Sequence, residues 1–333
     1  MKQTYTQRGF TLVELMVSML LGLVLVGGVI SVLIANRNNY KTNEGLSQVQ
    51  ETARSAFELL ARDIRQAGGT GCDNARRMAN VLNASTTWWQ NWASVQGFDS
   101  TLTDSAVAIG TATGTRVAGT DTLHMHSIEG GGFPVLTHNA GSGTIQLNTT
   151  GATIAAADIL MACDFDHSTI FQAQSFTTGT QTITYATGGT PGNCSTGLGF
   201  PTSCVGGGNV YTFPRNSWVG RLEAVTWYVG NNNRPADGGR SLYRVRLGTG
   251  GVPVTEEVVA GVSDLQVTYG RNGVNTIDNG TAFTAADWAQ VNSVFITLTV
   301  TSMDQRLSSN QALNSGRITR PFTWIVTLRN RVA

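Results

Sequence analysis

Lysine is almost missing from this sequence: Lys2 and Lys41 are the only two in 333 residues. The phosphate-cradling pattern GxxxxGK[ST] is absent, which removes P-loop nucleotide chemistry. Charge is sparse at 13%, and the net charge is +1. No basic stripe follows a nucleic-acid backbone and no acidic tail solvates a disordered segment. No convincing GxSxG elbow presents a serine nucleophile. Only four histidines occur. His124 and His126 lie two apart on an expected strand and so share a face. With a carboxylate they could bind zinc, but such a pair is more often structural. Asp164, Asp166 and His167 cluster after Cys163, yet their spacing does not fit an EF-hand loop. They read as turn chemistry. The chain is therefore expected to hold no catalytic residues, no metal and no cofactor, and it does not read as an enzyme.

Cysteine is also scarce: Cys72, Cys163, Cys194 and Cys204. An even number in an oxidising space reads as two disulfides, with three possible connectivities. Cys194–Cys204 would close a Gly- and Ser-rich loop, and Cys72–Cys163 would tie the end of a long helix to a sheet. That is the favoured pairing. The chain-entropy model gives about 3–5 kcal/mol for each bridge as a ceiling. A zinc site is the alternative, against which the lack of C-x-x-C spacing argues.

What the sequence does have is one long apolar run, "FTLVELMVSMLLGLVLVGGVISVLIA", from Phe10 to Ala35. At about 26 residues it makes a helix of roughly 39 Å, enough to cross a bilayer core of ~30 Å with some tilt. The run is too long for the apolar core of a secretory signal, and no A-x-A-like site follows it. Gly22, Gly27 and Gly28 weaken it as an isolated helix and permit close helix approach. Its single carboxylate, Glu14, is costly in lipid and calls for a partner. An acid in a first helical turn is favoured by the helix dipole, and capping of its own helix is the bland alternative for Glu14. Lys2 and Arg8 precede the span, which puts the N-terminus in the cytoplasm and the bulk of the chain on the far side.

After the span, Leu46, Val49, Ala53, Ala56/Phe57, Leu60, Ile64 and Ala67 recur at steps of three and four. This predicts an amphipathic continuation of the helix, ended by Gly68-Gly69. Arg54, Glu58, Arg62 and Arg65 fall off the stripe and read as a solvated face. Residues 73–119 give no clear period. Trp88, Trp89 and Trp92 within them could form a partner or glycan platform, though core packing is the better reading. From residue 120 strands dominate, at 121–127, 144–148, 158–165, 170–176, 181–186, 222–229, 241–247, 256–260 and 264–269. The clearest alternation follows, with Val294, Ile296, Leu298 and Val300 on one side, then Trp324, Val326 and Leu328. "TAADWAQV" predicts a short helix with Thr284 as N-cap and Asp287 at its third position.

The junction "RG-FTLVE" resembles the class III signal of type IV pilins and type II secretion pseudopilins. The match comprises a short basic leader, Gly9, Phe10, and an acid as the fifth residue after the junction. The resemblance implies that a prepilin peptidase cuts between Gly9 and Phe10 and N-methylates Phe10. It implies that Glu14 then pairs with the Phe10 amine of a neighbouring subunit; a buried charge is tolerable only when paired. "ARDIRQAGGTGC", "ADILMACDFDHSTIFQAQSF", "DWAQVNSVFITLTVTS" and "FTWIVTLRNR" resemble the PilW family of minor pilins, kin to the J-type pseudopilins. The glycine-rich stretch 188–210 aligns to nothing familiar.

The resemblance implies an α+β fold of the type IV pilin kind, a long N-terminal helix packed on a β-rich head. Residues 1–9 would be a cytoplasmic leader, 10–35 the transmembrane and fibre-core helix, 36–68 its amphipathic continuation, and 69–333 the periplasmic or extracellular head. Before assembly the protein would sit in the inner membrane, and afterwards in the pilus, at its tip. The implied partners are the prepilin peptidase, other minor pilins and the major pilin, the inner-membrane assembly platform and a PilY-type tip adhesin. Nucleic acid is not expected. The implied work is initiation of pilus assembly, in support of motility and adhesion. A J-type pseudopilin of type II secretion, or a ligand-binding minor pilin for adhesion or DNA uptake, is the alternative.

Overall fold

A computed structural model describes residues 9–69, 72, 77–83, 87–90, 92–308 and 314–331. The basic leader residues Lys2 and Arg8 lie outside the described residues. One helix, α1, runs from Leu12 to Gln66. Its 55 residues make a rod about 80 Å long. Thr11 caps the start, its Oγ1 accepting from Glu14 N–H. The end is set by Gly68, whose φ of +73° a side chain would resist. There the chain is sewn to the sheet: Gly68 N–H donates to His126 O and Ile128 N–H to Gly69 O, each at 2.8 Å.

Fifteen strands follow among the described residues. They are β1 (Arg77–Asn80), β2 (Val95–Phe98), β3 (Thr122–Ile128), β4 (Phe133–Asn139), β5 (Thr144–Leu147), β6 (Ile159–Cys163), β7 (His167–Gln172), β8 (Ser175–Thr177) and β9 (Thr182–Thr184). Then come β10 (Trp218–Asn231), β11 (Arg240–Leu247), β12 (Pro253–Ala260), β13 (Val262–Arg271), β14 (Val291–Thr301) and β15 (Thr319–Thr327), with a short α2 (Ala285–Trp288) before β14. Strands β13, β14 and β15 form an antiparallel sheet, and the other twelve form a larger mixed one. The fold is α+β, a long apolar helix on a sheet-rich head.

The helix and the small sheet bury one core together. Val49, Ala53, Ala56, Leu60 and Ile64 face Leu265, Val267, Val294, Ile296, Leu298 and Val300, all essentially inaccessible. The alanines let the backbones come close, while Phe57 stacks on Trp324 with ring centroids 4.5 Å apart. Arg54, Glu58, Arg62 and Arg65 are exposed, as their place off the stripe predicts. Thr284 and Asp287 form the expected capping box on α2.

Strand β10 belongs to two halves of the head. Residues 218–221 pair with β6 and its first two also with β4; residues 222–231 pair with β3 and β11. It runs antiparallel to α1: Trp227 meets Asp63, whereas His126, which receives Gly68, sits opposite Ala224. From Ala224 back to Trp218 the strand therefore continues about 20 Å past the helix end. A distal lobe is built there with its own core, including Val135, Ile145, Leu160, Phe171, Ile183, Tyr185, Phe213 and Val219.

Three departures from the sequence reading have physical causes. Strands β1 and β2 lie within the span 73–119, too short at four residues to show a period. Strand β4, "FPVLTHN", begins with a proline pair position and alternates weakly. The expected strand 170–176 is two strands. Ala173 N–H turns to Asp158 O and Gln174 N–H to Thr184 O, so the chain changes partner from β6 to β9.

Candidate functional site: the exposed N-terminal helix

From Phe10 to Ile34 the large apolar side chains of α1 stand free of the head; Phe10 itself is 83% exposed. None of the apolar window that is long enough to cross a membrane is buried against the rest of the chain. A Cβ added at Gly22, Gly27 or Gly28 would meet nothing. Such a surface is unstable in water and needs lipid or other helices around it.

Glu14 is one turn into this surface. Thr11 Oγ1 accepts from Glu14 N–H and donates to Glu14 Oε2, both at 3.3 Å. Ser18 returns its hydroxyl to Glu14 O at 2.6 Å. The cap is thus made by Thr11, and Glu14 does not fold back onto a backbone N–H as a full capping box would require. Among the described residues no cation pairs with its carboxylate. Gly9 and Phe10 precede the helix in non-helical backbone, where the peptide bond between them is open to solvent.

The head holds the other singled-out residues in structural roles. Disulfides join Cys72 to Cys163 and Cys194 to Cys204. Trp88 and Trp89 are buried, and Trp88 and the half-buried Trp92 pack on the strand histidines, so they form core and not a platform. His124 Nε2 lies 2.8 Å from Asp104 Oδ2, and His126 Nδ1 lies 2.7 Å from Ala93 O. Their partners differ, and among the described residues no third ligand joins them. Burial pushes the His126 pKa down to about 4, which keeps it neutral. Burial opposes ionisation of Asp104, but hydrogen bonds from His124 and Thr122 hold it below the ordinary carboxylate value. Among the described residues no group of three His, Cys, Asp or Glu side chains is placed to hold a metal ion. Asp164 Oδ1 accepts from Asp166 N–H and His167 N–H at 2.9 and 2.8 Å, closing the turn between β6 and β7.

Two inward-facing charges escaped the sequence reading. Asp63 faces inward from α1, taking Trp227 Nε1–H at 2.8 Å with Arg244 at 3.7 Å. Burial raises its pKa. Its place in the helical wheel, one step from Leu60 and Ile64, was the available signal. Arg116 is fully buried and donates to the carbonyls of Leu102, Phe98, Asp99 and Thr120. Nothing in its irregular surroundings marked it.

An exposed apolar helix with an acid in its first turn, on a disulfide-linked β-rich head, fits a membrane-anchored pilin-like protein. The chain matches the model of a prokaryotic N-terminal methylation motif over residues 5–30. It also matches the family model described as PilW, Type IV Pilus-assembly protein W, over residues 226–330. The two together match it to a PilW-like class III signal pilin and support a minor pilin of a type IV pilus, which is structural rather than catalytic. They imply contact with pilus components and with a prepilin peptidase. No curated protein and no solved structure matches the chain.

Proposed function

We propose that this minor pilin acts in the initiation of pilus assembly and takes a place in the tip complex. The observation that carries the reading is the free helix surface from Phe10 to Ile34 with the carboxylate of Glu14, paired by no cation among the described residues, at its start. The prepilin peptidase removes residues 1–9 by cutting between Gly9 and Phe10 and methylates the new amine. Residues 10–35 then wait in the inner membrane, with 36–68 leading to the periplasmic head at 69–333. Glu14 draws in the Phe10 amine of a neighbouring minor or major pilin in a low-dielectric bundle, where an opposite charge is the strongest partner. The apolar helix exchanges lipid for other helices as the assembly platform extrudes the fibre. A PilY-type adhesin at the tip is a further partner, and motility and adhesion follow from the fibre.

The test is a count of surface fibres in a deletion strain, complemented by wild type or by Gly9→Trp, with secreted enzymes assayed in the same cultures. Loss of fibres rescued only by the cleavable protein is the expected result. Normal fibres with failed secretion would reassign the chain to the J-type pseudopilins.

A further inference from the structure

The distal lobe has almost no charge. Between residues 133 and 218 the acidic and basic side chains are Asp158, Asp164, Asp166 and Arg215, with no lysine or glutamate. Asp158 and Asp164 are buried and hydrogen-bonded, and Asp166 is paired with Arg77 at 2.9 Å. On this charge-poor surface, where Arg215 and Arg77 are the exposed cations, four large apolar side chains stand out in solvent: Phe165 at 85% exposure, Val205 at 83%, Val210 at 72% and Phe200 at 48%.

These four residues sit on loops that are stitched together. Tyr211 donates to Asp164 Oδ2 at 2.6 Å and stacks on His167 at 4.2 Å. His167 Nε2 is 2.9 Å from Leu198 O. Gly199 N–H donates to Asn209 O and Asn209 Nδ2 to Pro201 O, both at 2.7 Å. The Cys194–Cys204 bridge closes the set. Each exposed side chain is next in sequence to one of these cross-links. The apolar groups are therefore held out by a rigid frame at one end of the molecule, so little ordering entropy remains to be lost on binding.

We infer that Phe165, Phe200, Val205 and Val210 form a docking surface for a different protein chain, one that presents an uncharged apolar patch. Charge complementarity sets the partner's chemistry. A highly charged partner would be desolvated here with little beyond Arg215 to pair with in return, whereas charge-poor, aromatic-containing patches are the cores of protein interfaces. Position argues against another subunit stacked along the anchor helices. The lobe begins beyond the end of α1 and lies at the opposite end of the head from the free helix. Neither family match reaches this surface, which falls between residues 30 and 226. The cellular setting of the proposal rests on the minor-pilin reading; the surface itself does not.

A photo-crosslinking amino acid at Val205 or Val210 in the full chain, expressed in the piliated cell, tests this. Thr178, exposed in the β8–β9 turn, serves as the control position. The expected result is one adduct with the same foreign protein from both positions, none from Thr178, and a yield unchanged from low to high salt. With the linker at Val205, adding Phe165→Ser and Val210→Ser should lower the yield about tenfold or more. No adduct, an adduct only between copies of this chain, or a yield that falls with salt would overturn the inference. So would retention on a neutral polysaccharide in place of an adduct, which would make the surface a glycan site. Fibres are counted in the same cells. Rescued fibres without an adduct reject the surface alone, and an adduct without rescue rejects the function and keeps the surface.

Discussion

Asp121→Asn should make the protein more stable at neutral pH and erase part of its pH dependence. Asp121 sits at the seam between the two sheets, just before β3, and is 3% exposed. Its N–H donates to Leu265 O at 2.9 Å, and its Oδ2 accepts from Val267 N–H at 2.8 Å. Burial, aided by the charge of Asp99, pushes its pKa up from 3.8 to about 6, against the hydrogen bond from Val267. The folded state therefore keeps a proton that the unfolded chain gives up. Stability from this group is complete below about pH 4, declines between about 4 and 6, and is gone above that. A shift of about two pH units corresponds to about 3 kcal/mol. Asn keeps a carbonyl for Val267 and cannot ionise. Urea unfolding of the mature protein in non-ionic detergent, followed by tryptophan fluorescence from pH 4 to 8, gives both profiles. The difference between variant and wild type should grow across that window and level off above pH 6. Parallel profiles would refute the assignment of a buried ionising group to this seam.

Three further outcomes follow from packing. Arg116→Ala should cost about 3–5 kcal/mol in the same unfolding assay, because four carbonyls lose a buried cationic donor. Gly220→Ala should cost about 1–3 kcal/mol, since its Cβ would lie 2.3 Å from Ile128 Cγ2 and 2.9 Å from Gly132 Cα where the two halves of the head meet. Replacing Cys72 and Cys163 by serine should lower stability more than replacing Cys194 and Cys204. The first bridge spans 91 residues and the second 10, and the chain-entropy model separates them by about 2 kcal/mol.

Periodicity carried most of what the sequence revealed. The stripe from Val49 to Ile64 and the alternation from Val294 to Val300 each bury one face on the same core, so each leaves a clean period. The helix–sheet unit was legible for that reason. The distal lobe was less so. Its strands are short and many are covered on both faces, as β6 and β7 are throughout, which erases alternation. Asp63 was hidden because its partner is far away in sequence, meeting Trp227 across 164 positions. Arg116 was hidden because the carbonyls it binds, 4 to 18 positions away, sit in largely irregular backbone that carries no period. The candidate docking site was legible because it is local: Phe10, Thr11 and Glu14 lie at the very start of α1, Thr11 as its N-cap and Glu14 in its first turn. The apolar surface around Val205 was not, because a glycine-rich loop carries no period and exposure is a property of the fold.

The most direct test of the docking account is the share of protein recovered in sheared fibres for Glu14→Ala against wild type, with the N-terminus of each read by mass spectrometry. The account predicts that both chains begin at a methylated Phe10 and that only the wild type enters the fibre. Glu14→Ala recovered in fibres at the wild-type level would contradict it.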